Sequence, residues 1–222
     1  TINYKSGSIY SKDQSITLYA VWRKQITVTF NYNKALWNGT STTRSCYIYN
    51  NQTSCTITSP GIANLNQTNF RGDSTDASLS AKGNQSFSTL FTIKGWNTSS
   101  SATTASLATN KSLSVSSNRT YYAIVIINYS RFLAFPNAQW GLYCRKYVDQ
   151  PYSPTKNMAG MIATNYGIPA YFKTTTWEYS TSSGKLWLRG SLENSSLCTP
   201  SVANIVNPTC SNQWVPAEWV SW

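Results

Sequence analysis

The sequence contains no histidine, and it has only seven carboxylates: Asp13, Asp73, Asp76, Asp149, Glu178, Glu193 and Glu218. Without an imidazole the Ser/His and Cys/His nucleophile systems cannot be assembled. The usual zinc sites lose their nitrogen ligands for the same reason, and no C-x-x-C spacing makes up for them, so neither a metal nor any other cofactor is expected. A glycosidase needs only a pair of carboxylates held across a sugar. Glu178 and Glu193 come nearest to such a pair, but both read better as solvated charges. No spacing singles out a Lys, Asn and acid triplet for an internal isopeptide bond. The chain reads as non-catalytic. Apolar runs of 18 residues are missing too, so no transmembrane segment is expected.

Charged residues make up only 11% of the 222, yet 18 Lys and Arg against 7 Asp and Glu leave a net charge of +11. Such a balance attracts polyanions in general: nucleic acids, teichoic-acid-like polymers, anionic membranes. The cations are scattered, Arg23-Lys24 and Arg145-Lys146 being the only adjacent pairs, and no nucleic-acid-binding motif accompanies them. No nucleic-acid partner is expected. What the chain has in quantity is aromatics, with nine Trp and fifteen Tyr, set among Ser, Thr and Asn. These residues suit strands and turns, because aromatic and β-branched side chains fit a pleated surface while Ser and Asn compete with helical hydrogen bonds. The expected fold class is all-β.

The five cysteines point to an oxidising, extracellular setting. A two-residue turn at Asn50-Asn51 sets Cys46 opposite Cys55 as a close, non-hydrogen-bonded cross-strand pair within disulfide reach. Cys198 and Cys210 flank a Pro-containing loop and form the next candidate pair. Cys144 is then left over, although it pairs equally well with either of them.

Alternation marks strands at Ser15 to Trp22 and Gln25 to Asn33, and again at Thr89 to Trp96. Thr120 to Tyr129 is so continuously apolar that both its faces should be covered. Residues 60–88, rich in Ser, Asn and Gly, read as long loops, and the Arg71-Gly72-Asp73 tripeptide within them reads as a turn. Beyond the turn signal Phe135-Pro136-Asn137 the rhythm changes. A hairpin is expected from Tyr171 to Ser180 back through Lys185 to Arg189, and Met158 to Ile162 is the one place where a helical turn is plausible. Three units follow: residues 1–23, 24–128 and 129–222.

The segments TLYAVW at 17–22 and TYYAIV at 120–125 are the same kind of strand. Upstream of the second lie ITVTFNYN at 26–33 and KGWNTSSSATT at 94–104. This order, a V-T-F strand, a G-W turn with small polar residues and a closing L-Y-A strand, resembles the Listeria-Bacteroides repeat, also called the internalin B-repeat, over about residues 1–125. The last strand departs from the pattern by ending in Val125 instead of Trp. The resemblance implies a β-grasp-like module with the Cys46/Cys55 hairpin inserted, strung in tandem on bacterial surface proteins. Residues 1–22 look like the tail of a preceding copy, or strands donated to a neighbouring chain. The resemblance does not extend to residues 130–222, which read as a second, small Trp-rich β domain.

That last third gathers Trp140, Tyr143, Tyr152, Tyr166, Tyr171, Trp177, Trp187, Trp214, Trp219 and Trp222. Flat rings with polar tips serve protein interfaces and sugar stacking as well as cores. The candidate ligand-binding residues are Trp177, Trp187, Trp214 and Trp219, placed between the hairpin and the C-terminal segment. Together these readings describe a secreted or cell-surface module for adhesion or binding, its partner a glycan or protein of a host or neighbouring cell. The alternative is a structural subunit of a filament or phage particle that binds copies of itself by strand exchange.

Overall fold

The computed structural model describes residues 5, 7–9, 15, 17–65, 89–134, 142–149, 157–162, 169–200 and 207–221. Among these the chain is all-β: fourteen strands are joined by turns and short 3-10 segments, with no α-helix.

The first sheet has the order β2-β1-β6-β4, formed by β1 (Arg23–Asn31), β2 (Ser41–Tyr49), β4 (Phe91–Asn97) and β6 (Arg119–Ile127). β1 runs antiparallel to β2 and parallel to β6. Its alternation decides its face: Ile26, Val28 and Phe30 are buried, while Thr27, Thr29 and Asn31 between them are only partly so. Against that face lies a two-stranded sheet of β3 (Cys55–Thr58) and β5 (Ser112–Val115). Ile57 and Val115 from the small sheet join Ile26, Val28, Phe30, Trp96, Tyr121 and Ala123 in one core. Phe30 is its hub, edge-on to Trp96 at 5.0 Å and stacked on Tyr121 at 5.6 Å between centroids. The buried Trp96 indole is satisfied by donating Nε1–H to Pro60 O.

The third sheet holds eight strands in the order β12-β9-β8-β13-β11-β10-β7-β14. They are β7 (Arg131–Ala134), β8 (Leu142–Arg145), β9 (Met158–Ile162), β10 (Ala170–Tyr179), β11 (Leu186–Leu192), β12 (Cys198–Thr199), β13 (Gln213–Pro216) and β14 (Val220–Ser221). The change of sheet falls between Ile127 and Arg131. One hydrophobic cluster nevertheless draws on both sides of it. Leu65, Leu90 and Phe91 pack with Phe132, Phe172, Trp177, Leu188 and Val215.

Four local expectations are corrected. Residues 17–22 and Ser15 form no strand. Both edges of β1 are taken by β2 and β6, and residues 17–22 pair with no other strand, so their alternation builds no ladder. The Asn50-Asn51 turn does form, with Asn50 at φ 45° and Gln52 N–H donating to Tyr49 O. Its two arms then part, β2 pairing with β1 and β3 with β5, so the Cys46–Cys55 bridge joins two sheets instead of two arms of one hairpin. Gly95-Trp96 lies inside β4, at a bulge between Ile93 and Gly95, and not in a turn. Met158 to Ile162, expected as a helical turn, is β9: the pairing with β8 on one side and β12 on the other outweighs the helix preference of Met and Ala.

The second bridge corrects the pairing expected for Cys198 and Cys210. Cys210 bonds Cys144, and Cys198 keeps a free, half-buried thiol. Cys144 is fully buried on the interior strand β8, and Cys210 is held near it by Leu192 N–H donating to Cys210 O and Thr209 N–H donating to Ala159 O. Proximity in sequence favours Cys198; proximity in the sheet favours Cys144. A bridge enclosing 66 residues raises stability by about 4 kcal/mol through the unfolded state.

Candidate functional site

Residues paired across antiparallel strands share a face, and the register of the large sheet therefore sorts its tryptophans. One row runs Arg145 (β8), Trp214 (β13), Arg189 (β11), Thr176 (β10); the next holds Pro216, Trp187 and Glu178. Trp177, Leu188 and Val215 alternate with these and point to the opposite face, into the shared core.

Trp177 and Trp187 thus stand on opposite sides of the sheet and cannot line one surface. Each is also covered. Trp177 is 5% exposed, with Phe91 at 4.6 Å and Trp37 at 5.8 Å between ring centroids. Trp187 is 3% exposed, beneath the Arg145 guanidinium at 5.2 Å, and its Nε1–H donates to Asp149 Oδ1 at 3.2 Å. Neither ring has a face left for a ligand, which corrects their candidacy as binding residues. Trp214 is half-buried and keeps the Arg189 guanidinium 5.6 Å from its centroid. Trp219 sits in a short 3-10 turn, Ala217–Trp219, and its side chain lies outside the described residues. So do Trp140, Tyr152, Tyr166, Trp222 and the Arg71-Gly72-Asp73 tripeptide.

Asp149 is the anchor beneath this face, and sequence reasoning missed it as a structural group. With φ 55° it turns the chain after β8 so that its carboxylate meets the β10–β11 hairpin loop. Ser182 Oγ donates to Oδ2 at 2.8 Å, Ser183 Oγ to Oδ1 at 2.6 Å, and Ser180 Oγ also donates to Oδ2. With Trp187, four donors satisfy one carboxylate. They tie the turn after β8 to the β10–β11 hairpin loop and to Trp187 on β11, while the pairings of β13 with β8 and β11 set Arg145 and Arg189 on either side of Trp214. Burial draws the Arg145 guanidinium down from its ordinary value, with Glu218 and Asp149 acting in the opposite direction. Lys185 and Glu218 form a half-buried ion pair at 3.2 Å. Arg189 Nε–H donates to Asn212 O at 3.3 Å, which fixes the base of its fork. At the end of the row Lys34 Nζ donates to Thr176 Oγ1 at 3.3 Å, adding a third cation. Sequence reasoning did not single out Arg189; the alternation Trp187-Leu188-Arg189 is the signal that places it on the face of Trp187.

Asp149, Glu193 and Glu218 each hold a side-chain partner. Glu193 is gripped by Arg131 through Nε–Oε1 and Nη2–Oε2 bonds of 2.8 Å each. That hydrogen-bonded guanidinium holds its carboxyl below the usual range, whereas a general acid needs it raised. The Glu178 and Glu193 pairing considered for sugar hydrolysis thus finds one partner committed. Among the described residues no cluster of three or more potential metal ligands occurs, and no helix is long and apolar enough to cross a membrane. Set against family models, curated proteins and solved structures, the chain matches none.

Proposed function

We propose that this chain is a secreted or cell-surface, non-catalytic binding module whose C-terminal sheet engages a glycan bearing anionic groups. The observation that carries the reading is the cross-strand row Arg145, Trp214, Arg189. A half-exposed indole offers an apolar platform for a sugar ring. Guanidinium forks on either side match carboxylate, sulfate or phosphate geometry. The net charge of +11 adds long-range attraction, and two disulfides fit an extracellular address. Residues 24–128, the part resembling a surface-protein repeat, would present this sheet.

The test compares dextran sulfate with neutral dextran on a binding surface. Dextran sulfate should bind in a salt-dependent manner. Arg189→Gln or Trp214→Ala should weaken it at least tenfold, while Lys24→Gln, which removes the same charge elsewhere, should change it less than about twofold. Equal losses from Arg189→Gln and Lys24→Gln would reduce the effect to net charge and end the proposal.

A second reading, a filament subunit assembling by strand exchange, is favoured by residues 17–22. The segment carries Leu18, Tyr19 and Trp22 at 57%, 85% and 77% exposure, and its tie to the fold is at Trp22, through two hydrogen bonds with Asn50. Large apolar side chains so exposed mark interaction sites. Light scattering should show the intact chain gaining mass with concentration and the chain lacking residues 1–22 remaining a monomer. An intact chain that stays monomeric throughout removes this reading.

A further inference from the structure

The third thiol lies beside the second disulfide. Cys198 Sγ is 3.2 Å from Cys210 Sγ, itself bonded to Cys144. β9 makes this approach feasible. Ile162 pairs with both Cys198 and Leu142, and Gly160 pairs with Cys144. Cys198 and Cys144 thus sit on the two strands flanking β9, one on the Ile162 row and the other on the Gly160 row. Any Cβ at Gly160 would stand 2.7 Å from Cys198 Sγ and 2.9 Å from Thr209 O. The missing side chain is the slot through which Cys198 Sγ reaches across β9 and against which the segment carrying Cys210 is laid. Thr209 N–H donating to Ala159 O and Leu192 N–H donating to Cys210 O hold that segment there.

We propose that Cys144, Cys198 and Cys210 form a thiol–disulfide exchange site in which Cys210 is shared between two partners. The Cys198 thiol gives up its proton, and the thiolate attacks Cys210 Sγ. The Cys198–Cys210 bond forms as the Cys144–Cys210 bond breaks, and the electron pair leaves on Cys144 sulfur, which takes up a proton. One disulfide and one thiol exist before and after, so no outside oxidant or reductant takes part. Burial pushes the Cys198 thiol up, opposed only by hydrogen bonds from the backbone at Met161 and Cys210, with no charged side chain contributing. The attacking thiolate is therefore scarce at neutral pH and the exchange is slow there. Each isomer clamps the 207–210 segment to a different strand, β8 or β12. Each also changes which thiol is on offer, because Cys198 is half-buried whereas Cys144 is 0% exposed.

The decisive measurement is disulfide mapping after unfolding and alkylation in acid, which stops exchange. Cys144→Ser should carry a Cys198–Cys210 bridge and no free thiol, against the single thiol of the native chain. A folded Cys144→Ser with two free thiols overturns the proposal. Should that variant not fold, the native chain is incubated at about pH 9, near the thiol range, and sampled over hours. The label should move from Cys198 to Cys144 until it reaches a plateau, with Cys198–Cys210 peptides appearing in step. Label confined to Cys198 at every time overturns it equally.

Discussion

Trp177→Ala is expected to destabilise the protein by about 3–5 kcal/mol, the cost of emptying a large buried aromatic site. In a chain of this length that corresponds to a fall in Tm on the order of 10 °C. The ring is not merely covered; it is the joint between the two halves. Phe91 of β4 meets it at 4.6 Å, Trp37 packs on it and on Tyr179, and Lys34 Nζ lies 5.8 Å from its centroid. Each of those partners precedes residue 128, whereas Trp177 and Tyr179 belong to β10. Alanine would leave a void that neither sheet can close without moving relative to the other. Urea denaturation followed by far-ultraviolet circular dichroism measures the loss. Affinity for dextran sulfate in the folded fraction should stay within about twofold of the native value, because Trp177 faces away from Trp214. A stability loss under about 1 kcal/mol would show that the two halves do not depend on each other here.

Gly190→Ala is expected to cost about 3 kcal/mol by overpacking, despite adding a single methyl. A Cβ at this position would run into the carbonyl oxygen of Lys173 and stand 2.8 Å from both Lys173 C and Thr174 Cα. All three are backbone atoms of the neighbouring strand, so no side chain can swing aside. Gly190 pairs with Thr174 just where the β10–β11 register slips between Thr174 and Thr176, and a bulge bends and twists the strand that carries it. The ladder must open at that point to admit the methyl. Thermal denaturation reads the loss directly. Because Arg189 adjoins Gly190, polyanion binding should fall in the same variant; a Gly190→Ala protein of native Tm would show that the close approach is not built into the fold.

What the sequence disclosed depended on how regularly the strands alternate. Ile26, Val28 and Phe30 announce β1, the apolar run at 120–127 announces β6, and the Tyr171 to Arg189 hairpin is legible from its turn. Strands of two to four residues, such as β5, β12 and β14, are too short to show a period. Ser15 to Trp22 alternates as cleanly as β1, yet alternation records which face a strand would bury and not whether the segment pairs with a neighbour. The tryptophans teach the same lesson at the site. Trp177 and Trp187 can be placed on opposite faces once the register is known, but what covers each ring comes from distant parts of the chain, Phe91 for one and Arg145 with Asp149 for the other. Pairing of cysteines likewise follows neighbourhood in the sheet, where Cys144 and Cys210 meet across a separation of 66 residues.

That same bridge governs how the chain would bear a pull applied at its two ends. Tension passes from Cys144 to Cys210 through the sulfurs, so the loop between them, with β9, β10, β11 and β12, is kept off the load path. About 220 Å of contour length is withheld from stretching, at about 3.3 Å for each extended residue. The Trp214 row straddles the bridge, because Arg189 lies on the sheltered hairpin while Arg145 and Trp214 flank the two sulfurs. While the bridge holds, β10 and β11, with Arg189, would stay undrawn, whereas Trp214, four residues beyond Cys210, remains on the load path.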